Sequence, residues 1–546
     1  MATATFKISA FEQHGISKEA LNEFLPRIGI EVERIEGDQI AVDVTPNRPD
    51  LLDQVGMLRA LLFFSRKRVP KENAYMTKGQ SGISITTTRA VRKVRPFIGC
   101  IVVKGTDLKD GRLESLINFA EKLSTTYGRK RKKLAMGMHD LSKIEGNLIY
   151  DAAKDRSFVP LGAGKEMKFE KILEEHKKGV EYSNTVKRAG NQNYPFLEDS
   201  KKVLSMIPII NSEATKVTAG TKDLLIDVTG TSKNAVNEVL RMLACSFIDS
   251  GADVYSCTTI YGNKSEESPD LKNDEIKING ALVRKTLGAQ IGESEMIGLA
   301  NMMGYVAAKY GNSIIMYPPP YRIDILNEQD IVEDFAIAYG YDRIKPLPVP
   351  SIAPAKPDAD AEDSDATALF MVGLGFSEAI NTLLTSEKSN FDNMRRKYDK
   401  TSVISIAESK SEAITMLRSA ILPQLLESLA NSSSESMPQR MFEIGQTFRL
   451  EGSRPTEEKR LAFVIEHPRA NFSEAKGAVS AMLDYLGLKF TIEGGKDPAF
   501  IDGRCAKIVV NGKSIGVFGE IHPEVLENFS IAEPVVAAEM HLIEGQ

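Results

Sequence analysis

The alternation of apolar and polar positions along the chain predicts several folding units. Near the start, residues 40–44 alternate as a strand does, prolines then mark a turn, and residues 51–64 have the apolar spacing of a helix. We expect Asp50 to cap this helix, because its carboxylate can accept hydrogen bonds from the free amides at a helix N-terminus. Residues 1–80 are therefore predicted to form an N-terminal α+β domain.

Residues 81–270 mix strand and helix signals and predict one substantial α+β domain. Within it, residues 97–103 have the composition of a strand and residues 113–123 the apolar spacing of a helix. Two stretches, 207–213 and 224–231, place small polar side chains beside strong strand formers. Because functional sites tend to be built from polar residues at the ends of scaffold elements, these stretches supply the candidate residues of this domain.

The second half of the chain divides at a proline-rich stretch. Residues 271–347 predict a compact unit of helices and short strands. Proline fixes the backbone and removes an amide donor, so residues 348–362 are predicted to be a semi-rigid linker. Residues 363–546 begin with a helix and then give mostly strand signals, with Asn511-Gly512 as a hairpin turn. They predict an antiparallel sheet flanked by helices.

Size and composition limit the class of protein. A chain of 546 residues exceeds what one hydrophobic core supports, and 42% hydrophobic with 26% charged residues is ordinary for globular domains. We expect a cytoplasmic protein, because the N-terminus lacks a signal-peptide pattern and the chain lacks a long apolar run. The cysteines are too dispersed to predict a zinc site or a disulfide framework; they are Cys100, Cys245, Cys257 and Cys505.

Charge restricts any contact with nucleic acid to local patches. The formal net charge is −5, whereas a surface devoted to nucleic acid usually carries a basic excess. Two basic clusters remain as candidates, residues 66–68 and residues 129–133. Each is equally explained as a solvated loop or helix face.

A group of carboxylates near residue 330 is the clearest chemical signal. A helix is predicted from Asn327 to Gly340, and its spacing places three carboxylates on one face: Asp330, Glu333 and Asp334. Asp324 precedes the helix and is expected to reach the same point. Carboxylates so crowded repel one another unless a cation lies among them, and hard oxygen ligands select Mg²⁺ or Ca²⁺.

The same carboxylates have a second interpretation that needs no metal ion. Asp330 can support the helix N-terminus, and the others can be solvated or paired with Arg322 or Arg343. Spacing alone does not decide between these interpretations.

In order and spacing, these segments resemble the β subunit of phenylalanyl-tRNA synthetase of the archaeal and eukaryotic type. The N-terminal signature is Thr45-Pro46-Asn47-Arg48-Pro49-Asp50. In the last domain, residues 415–423, 441–445 and 519–523 are similar to the class II synthetase-like fold of that family. The resemblance implies a multidomain α+β protein: an editing-type (B3/B4-like) domain at 81–270, a small helical or winged (B5-like) metal-binding domain at 271–347, and a non-catalytic relative of the α subunit's active site at 363–546.

The resemblance also implies cofactors, partners and site residues. It implies that Mg²⁺ is held by Asp324, Asp330, Glu333 and Asp334. It implies that residues 81–270 hydrolyse tyrosine wrongly attached to tRNA(Phe), with these candidates: Asn211, Ser212, Glu213, Asp227 and Thr229, and His139 as a further possibility. ATP would be a co-substrate of an assembly with an α subunit, expected to be an (αβ)₂ tetramer, that binds tRNA(Phe).

Three hypotheses follow. The leading one is an enzyme subunit that supports attachment of phenylalanine to tRNA and edits the product. The second is a non-enzymatic RNA-binding scaffold whose editing pocket has decayed. The third, a free-standing Mg²⁺-dependent nucleotide enzyme, is opposed by the sequence: no phosphate-binding G-x-x-x-x-G-K-[ST] loop occurs, and Gly373-Leu374-Gly375 lacks the third glycine of a dinucleotide fingerprint.

Overall fold

The computed structural model describes residues 2–186, 193–311, 313–349, 354–356, 358–409 and 411–542. The chain forms two compact units, Met1–Pro348 and Val349–Gln546, which divide at the start of the predicted linker. Of that linker, residues 350–353 and 357 lie outside the described residues.

The N-terminal part of the first unit is a small three-stranded antiparallel sheet, in the order β1-β3-β2, with short helices. Its helix begins later than predicted, at Gln54, after a 3-10 turn at Pro49–Leu52. Asp50 lies in that turn and pairs with Arg48 and Arg59, so its prediction as the helix cap is wrong. The elements are β1 (Ala2–Lys7), α1 (Ile8–Glu12), α2 (Lys18–Arg27), β2 (Glu31–Glu36), β3 (Gln39–Val44) and α3 (Gln54–Phe64).

The next part is built on a large mixed sheet, with ten strands in the part of the chain that is described. The elements are β4 (Gln80–Thr87), α4 (Arg89–Arg92), β5 (Phe97–Lys104), α5 (Arg112–Thr125), β6 (Leu134–Asp140), β7 (Leu148–Ala153), β8 (Ser157–Phe158), β9 (Met167–Lys168), α6 (Phe169–Glu175), α7 (Lys177–Tyr182), β10 (Tyr194–Glu198), β11 (Val203–Met206), β12 (Ile210–Asn211), β13 (Leu224–Gly230), α8 (Lys233–Asp249), β14 (Asp253–Tyr261) and β15 (Lys264–Ser268).

This sheet runs β12-β11-β10-β7-β4-β14-β5-β13-β6, with β15 paired to β14. The amphipathic helix α8 covers one face of β5 and β13, where alternate residues such as Ile226 and Val228 join its core. Because side chains alternate along a strand, the residues between them, including Asp227 and Thr229, point to the other face. The candidate residues of β13 therefore lie on the face away from α8.

The last part of the first unit combines a three-stranded antiparallel sheet with three helices. The predicted helix is confirmed: it spans Glu328–Tyr339, Asn327 is its N-cap and Gly340 follows its last turn. The elements are β16 (Ile276–Asn279), α9 (Gly280–Leu287), α10 (Glu293–Met302), β17 (Val306–Tyr310), β18 (Ser313–Tyr317) and α11 (Glu328–Tyr339).

The second unit is a seven-stranded sheet, counted over its described residues, in the order β19-β22-β23-β27-β26-β25-β24. It is antiparallel except for the short edge strand β19, and the Asn511-Gly512 hairpin is confirmed with both residues at positive φ. The elements are α12 (Ala359–Gly373), β19 (Ser377–Glu378), β20 (Leu384–Thr385), β21 (Met416–Leu417), α13 (Leu422–Asn431), β22 (Gln439–Glu451), β23 (Arg454–Glu466), α14 (Phe472–Tyr485), β24 (Phe490–Gly494), β25 (Phe500–Val510), β26 (Lys513–Ile521), α15 (Pro523–Asn528) and β27 (Val535–His541).

Candidate functional site

The large sheet curls until its two edge strands, β12 and β6, meet. The Asn211 side-chain amide donates to the Met138 carbonyl of β6 over 3.0 Å. Beside it, the Arg131 guanidinium donates to the Ile209 carbonyl over 2.9 Å and to the Pro208 carbonyl over 3.1 Å. Polar residues that are far apart in sequence are therefore brought together where the curled sheet closes.

A row of three buried polar side chains crosses this closure. His139 Nε2 lies 3.0 Å from Asp227 Oδ1, and His139 Nδ1 lies 2.8 Å from Thr215 Oγ1. All three side chains are at most 2% exposed. The two ring nitrogens of His139 thus lie between a carboxylate and a hydroxyl, and a hydroxyl can both donate and accept hydrogen bonds. The structure thus joins His139 and Asp227 and adds Thr215, which sequence reasoning missed.

Gly137 makes room for this row. A Cβ built on Gly137 would lie 2.4 Å from Asp227 Oδ1 and 3.2 Å from His139 Nε2. Such a contact is far inside van der Waals distance, so any larger residue here would displace the carboxylate.

The Asn211–Glu213 candidates lie at the rim of the row and are mostly used in local structure. The Ser212 hydroxyl accepts from the Ala214 amide over 3.2 Å and caps the turn that carries Thr215. The Gly162 amide donates to Glu213 over 3.0 Å, and this hydrogen bond, together with the ion pair to Lys216, lowers the pKa of the Glu213 carboxyl. Asn211 and Glu213 remain partly exposed, whereas Ser212 is buried.

Thr229 lies farther along β13 and contacts Arg95, which lines a cavity of about 200 Å³. The Arg95 guanidinium donates to the Thr229 hydroxyl over 3.1 Å and to the Thr229 carbonyl over 2.8 Å. Arg95 also lines the cavity together with Lys132, Asn184 and Thr231, which are exposed. The sequence did not predict Arg95, because nothing in its flanking residues marks it as buried.

Ser205 is a further residue that sequence reasoning missed. It lies on β11, paired in register with Leu197 of β10 and Asn211 of β12. Its hydroxyl is buried and has no hydrogen-bond partner among the described residues. A buried hydroxyl without a partner is costly, so it marks a place where a water molecule or a ligand group would be satisfied.

The basic segment 129–133 stands next to this cavity and divides into anchored and exposed side chains. Arg131 is buried against Tyr182, and Lys133 lies over the Tyr127 ring. Arg129, Lys130 and Lys132 are exposed. The segment is therefore a structured turn that presents three cations to solvent, one of them at the cavity.

The carboxylates near residue 330 are arranged around Arg322. The Arg322 guanidinium donates to both oxygens of Asp324 over 2.8 Å, and it lies 2.8 Å from Asp334 Oδ2, which also accepts from the Tyr305 hydroxyl. Burial tends to raise the pKa of Asp324, but Arg322 outweighs it and lowers that pKa. Burial also raises the pKa of Asp334, and there the opposing effect of Arg322 does not cancel it.

The other two carboxylates point elsewhere. Asp330 Oδ2 accepts from the Leu326 and Asn327 amides over 2.7 and 2.9 Å and completes a capping box, while Glu333 is exposed. In this structure the four carboxylates do not meet at one point, because Arg322 holds two of them and the helix N-terminus holds a third. These contacts are the ones that the second interpretation of the sequence described. Within the described ranges, no three His, Cys, Asp or Glu side chains are placed to hold a metal ion together.

The arrangement around Arg322 does not fit Mg²⁺. Arg322 Nη1 is buried without a hydrogen-bond partner among the described residues. The cluster of Arg322, Asp324 and Asp334 therefore lacks a hydrogen-bond acceptor rather than a cation. A divalent ion at Asp324 and Asp334 would need these ion pairs to open. Binding of Mg²⁺ by this segment stays a prediction.

The second unit buries an ion pair between the segments that carried the resemblance. Arg418, only 1% exposed, donates to Glu443 Oε1 over 2.6 Å and to the Gln446 carbonyl over 2.8 Å. A Cβ on Gly445 would lie 2.2 Å from Arg418 Nη2, so glycine is required there. The residues 415–423 and 441–445 thus meet as one structural motif.

Comparison with known families covers most of the chain. Residues 109–246 match the B3/4 domain, residues 276–341 the tRNA synthetase B5 domain, and residues 345–542 the phenylalanyl tRNA synthetase beta chain CLM domain. The phenylalanine–tRNA ligase beta subunit of Archaeoglobus fulgidus is 38% identical over 532 residues, which cover 97% of this chain and 95% of that protein. The chain belongs to the family of archaeal-type phenylalanine–tRNA ligase β subunits.

Other members of this β-subunit family agree. The phenylalanine–tRNA ligase beta subunit of Thermococcus kodakarensis is 34% identical, over 91% of this chain and 89% of that protein. The solved N-terminal fragment of the phenylalanyl-tRNA synthetase beta subunit from Pyrococcus horikoshii is 31% identical, with a TM-score of 0.60, and covers 62% of this chain and 100% of the fragment. The chain is therefore a subunit of an aminoacyl-tRNA ligase, and a β subunit implies an α partner.

No helix in the described part of this β subunit has both the length and the apolar character needed to span a bilayer.

Proposed function

We propose that this β subunit removes tyrosine wrongly attached to tRNA(Phe), while phenylalanine is activated on the α subunit. Editing is needed for a physical reason: an apolar pocket shaped for phenylalanine only weakly rejects an analogue with one added hydroxyl. A second site that hydrogen-bonds the phenol reverses that preference and allows the wrong ester to be hydrolysed.

The observation that carries this proposal is the cavity beside Thr229. Its volume, about 200 Å³, is below the roughly 300–1,000 Å³ of drug-sized sites and suits one amino-acid side chain. Asn184 and Thr231 offer exposed amide and hydroxyl groups on its wall, and Lys132 offers a cation for the RNA backbone.

In this proposal the buried row supports the site without touching the substrate. His139, Asp227 and Thr215 are closed to solvent, so a tRNA ester cannot reach them in this arrangement. Their contacts hold β6 against β13 and against the turn that contains Thr215. Arg95, which lines the cavity, is held in turn by its hydrogen bond to Thr229 of β13. Asp227 and Thr229 are then positioning residues, and the exposed cavity groups orient the ester and the attacking water.

The assembly we propose follows from the family. ATP and phenylalanine bind on the α partner, the two chains form an (αβ)₂ tetramer in the cytoplasm, and tRNA(Phe) contacts the exposed cations of residues 129–133. A Mg²⁺ ion in residues 324–334 is assigned no role in either reaction.

The experiment is to produce the chain with and without the α subunit of the same organism, then measure phenylalanine charging and deacylation of tyrosyl-tRNA(Phe). We expect charging to require both chains and the complex to deacylate tyrosyl-tRNA much faster than phenylalanyl-tRNA. Charging without deacylation would support the decayed scaffold. ATP turnover by the chain alone would support the free-standing nucleotide enzyme.

A further inference from the structure

A larger cavity, of about 460 Å³, lies in the first unit outside the editing domain. It is formed between residues 67–75, which follow α3, and the small sheet β16-β18-β17. Its volume falls within the roughly 300–1,000 Å³ typical of small-molecule sites. Neither the editing proposal nor the carboxylates near residue 330 use it.

The walls of this cavity are flat, apolar and held in place. Phe63 and Tyr75 are 4% and 9% exposed, and the Tyr75 ring packs edge-on against Tyr321 with 5.7 Å between centroids. Gly304, at φ +87°, continues the wall as bare backbone; a Cβ there would lie 2.7 Å from the Tyr321 hydroxyl and 3.3 Å from the Phe63 ring. The Phe63 and Tyr75 rings are therefore fixed in place and expose only a small part of their surface to the cavity, and the Arg68 guanidinium lies over the Phe63 ring, 5.2 Å from its centroid.

One side of the cavity is lined by basic side chains. Asp249 is shared by Arg59 and Arg68, each at 2.8 Å, and Arg59 also lies 3.5 Å from Asp50. Arg68 is the outer of the two, with 37% of its side chain exposed, and it lines the cavity. Lys67, which donates to the Gly15 carbonyl, and the exposed Lys71 also line it.

Another lining residue, Tyr317, lies near carboxylates. Its hydroxyl donates to Glu275 over 3.1 Å, and this hydrogen bond, together with Glu72, raises the pKa of Tyr317. An anionic ligand group is therefore favoured at Arg68 and Lys71 rather than beside Tyr317. The basic cluster 66–68, which the sequence left open between a solvated face and an RNA contact, supplies part of this charge.

We propose that this cavity binds a nucleoside monophosphate, with its base on the Phe63 and Tyr75 walls and its phosphate at Arg68 and Lys71. Aromatic side chains stack bases, and arginine and lysine recognise phosphate. A free nucleotide and an unpaired nucleotide of an RNA chain share this chemistry. The site lies outside residues 81–270, so it stands whether or not the editing proposal holds.

The test uses the full-length chain in phosphate-free buffer and isothermal titration with AMP and with adenosine. AMP should bind roughly fivefold tighter than adenosine, and Lys71→Glu should remove that difference. Ala74→Trp, which fills the mouth of the cavity, should weaken both ligands roughly tenfold. Lys165→Glu, an exposed lysine of another domain, is the matched control and should change neither.

Competition with unmodified tRNA identifies the source of the nucleotide. If tRNA displaces AMP from the wild-type chain but not from Ala74→Trp, the site takes an unpaired RNA nucleotide; if AMP and tRNA bind together, it takes a free nucleotide. Both results support the proposal. Equal binding of AMP and adenosine, or AMP binding that Lys71→Glu and Ala74→Trp leave unchanged, would overturn it.

Discussion

The carboxylates around Arg322 and the polar row inside the curled sheet are both buried in the first unit, but different partners satisfy them. Around Arg322 a fixed positive charge holds Asp324 and Asp334. In the sheet Asp227 is held by His139, whose ring in turn contacts Thr215, and the same face leads to a cavity. In the first cluster an arginine already lies among the carboxylates, whereas the second adjoins space that a ligand group can enter.

The largest expected effect is the loss of Arg322. Arg322→Met leaves Asp324 and Asp334 buried without their cation, which should cost about 3–5 kcal/mol. Hydrogen exchange of α11, followed by mass spectrometry, should then be about 100-fold to 4,000-fold faster. Arg343→Met is the control, because Arg343 is exposed and lies 3.8 Å from Glu295; it should change exchange little. Equal exchange in both variants would refute the role of Arg322.

Gly137 tests the polar row in the same way. Gly137→Ala forces a methyl group against Asp227 and should destabilise β6 and β13 by about 1–3 kcal/mol. The measurement is hydrogen exchange of peptides from those two strands. Gly298→Ala is the matched control, since its Cβ meets nothing within 4 Å in a helix, and it should stabilise by about 0.5–1 kcal/mol. Unchanged exchange in Gly137→Ala would mean that the row does not depend on this space.

The two carboxylates on Arg322 should respond differently to pH. Burial opposes ionisation of Asp324, but Arg322 outweighs it and holds the pKa below 3.8, so its contribution to stability is present above pH 3.8 and lost as the pH falls further. Burial raises the pKa of Asp334 above 3.8, so its contribution is present below pH 3.8 and lost as the pH rises through the raised value.

It follows that Asp324→Asn should lower the thermal midpoint more than Asp334→Asn at pH 7, and that the difference should shrink at pH 3. Thermal unfolding of both variants beside the wild type at the two pH values measures this. A larger loss for Asp334→Asn at pH 7 would reverse the assignment.

The smallest expected effect concerns Mg²⁺. A specific ion at 100 times its Kd would stabilise the folded chain by about 2.7 kcal/mol. Because Arg322 already occupies the centre of the cluster, we expect the thermal midpoint of the wild type to change no more with MgCl₂ than with NaCl of equal ionic strength. A stabilisation that appears with MgCl₂ alone and disappears in Glu333→Gln would instead confirm the sequence prediction of a metal site.

Local pattern accounts for what the sequence predicted correctly. The helix after Asn327 and the Asn511-Gly512 turn follow from capping and backbone preferences of adjacent residues, and both are present. The sequence also offered Arg322 as a partner of the carboxylates near residue 330. Spacing could not decide between that pairing and a metal ion, because the choice depends on which side of the helix is buried.

Contacts between residues far apart in sequence, made where the large sheet closes, explain what the sequence did not predict. Thr215 reaches His139 only because the sheet curls and β12 meets β6. Strand order is not encoded in any short window of residues. The sequence therefore grouped these polar candidates in one domain, but their burial and their relation to the cavity came from the fold.

The most direct measurement is the kcat/KM for tyrosyl-tRNA(Phe) deacylation by the αβ complex carrying Asn184→Ala, compared with Glu213→Gln at the rim. If the cavity is the editing site, Asn184→Ala should lower kcat/KM about 10-fold to 100-fold, while Glu213→Gln and phenylalanine charging remain near wild type. Loss of deacylation in Glu213→Gln with Asn184→Ala unaffected would contradict the account.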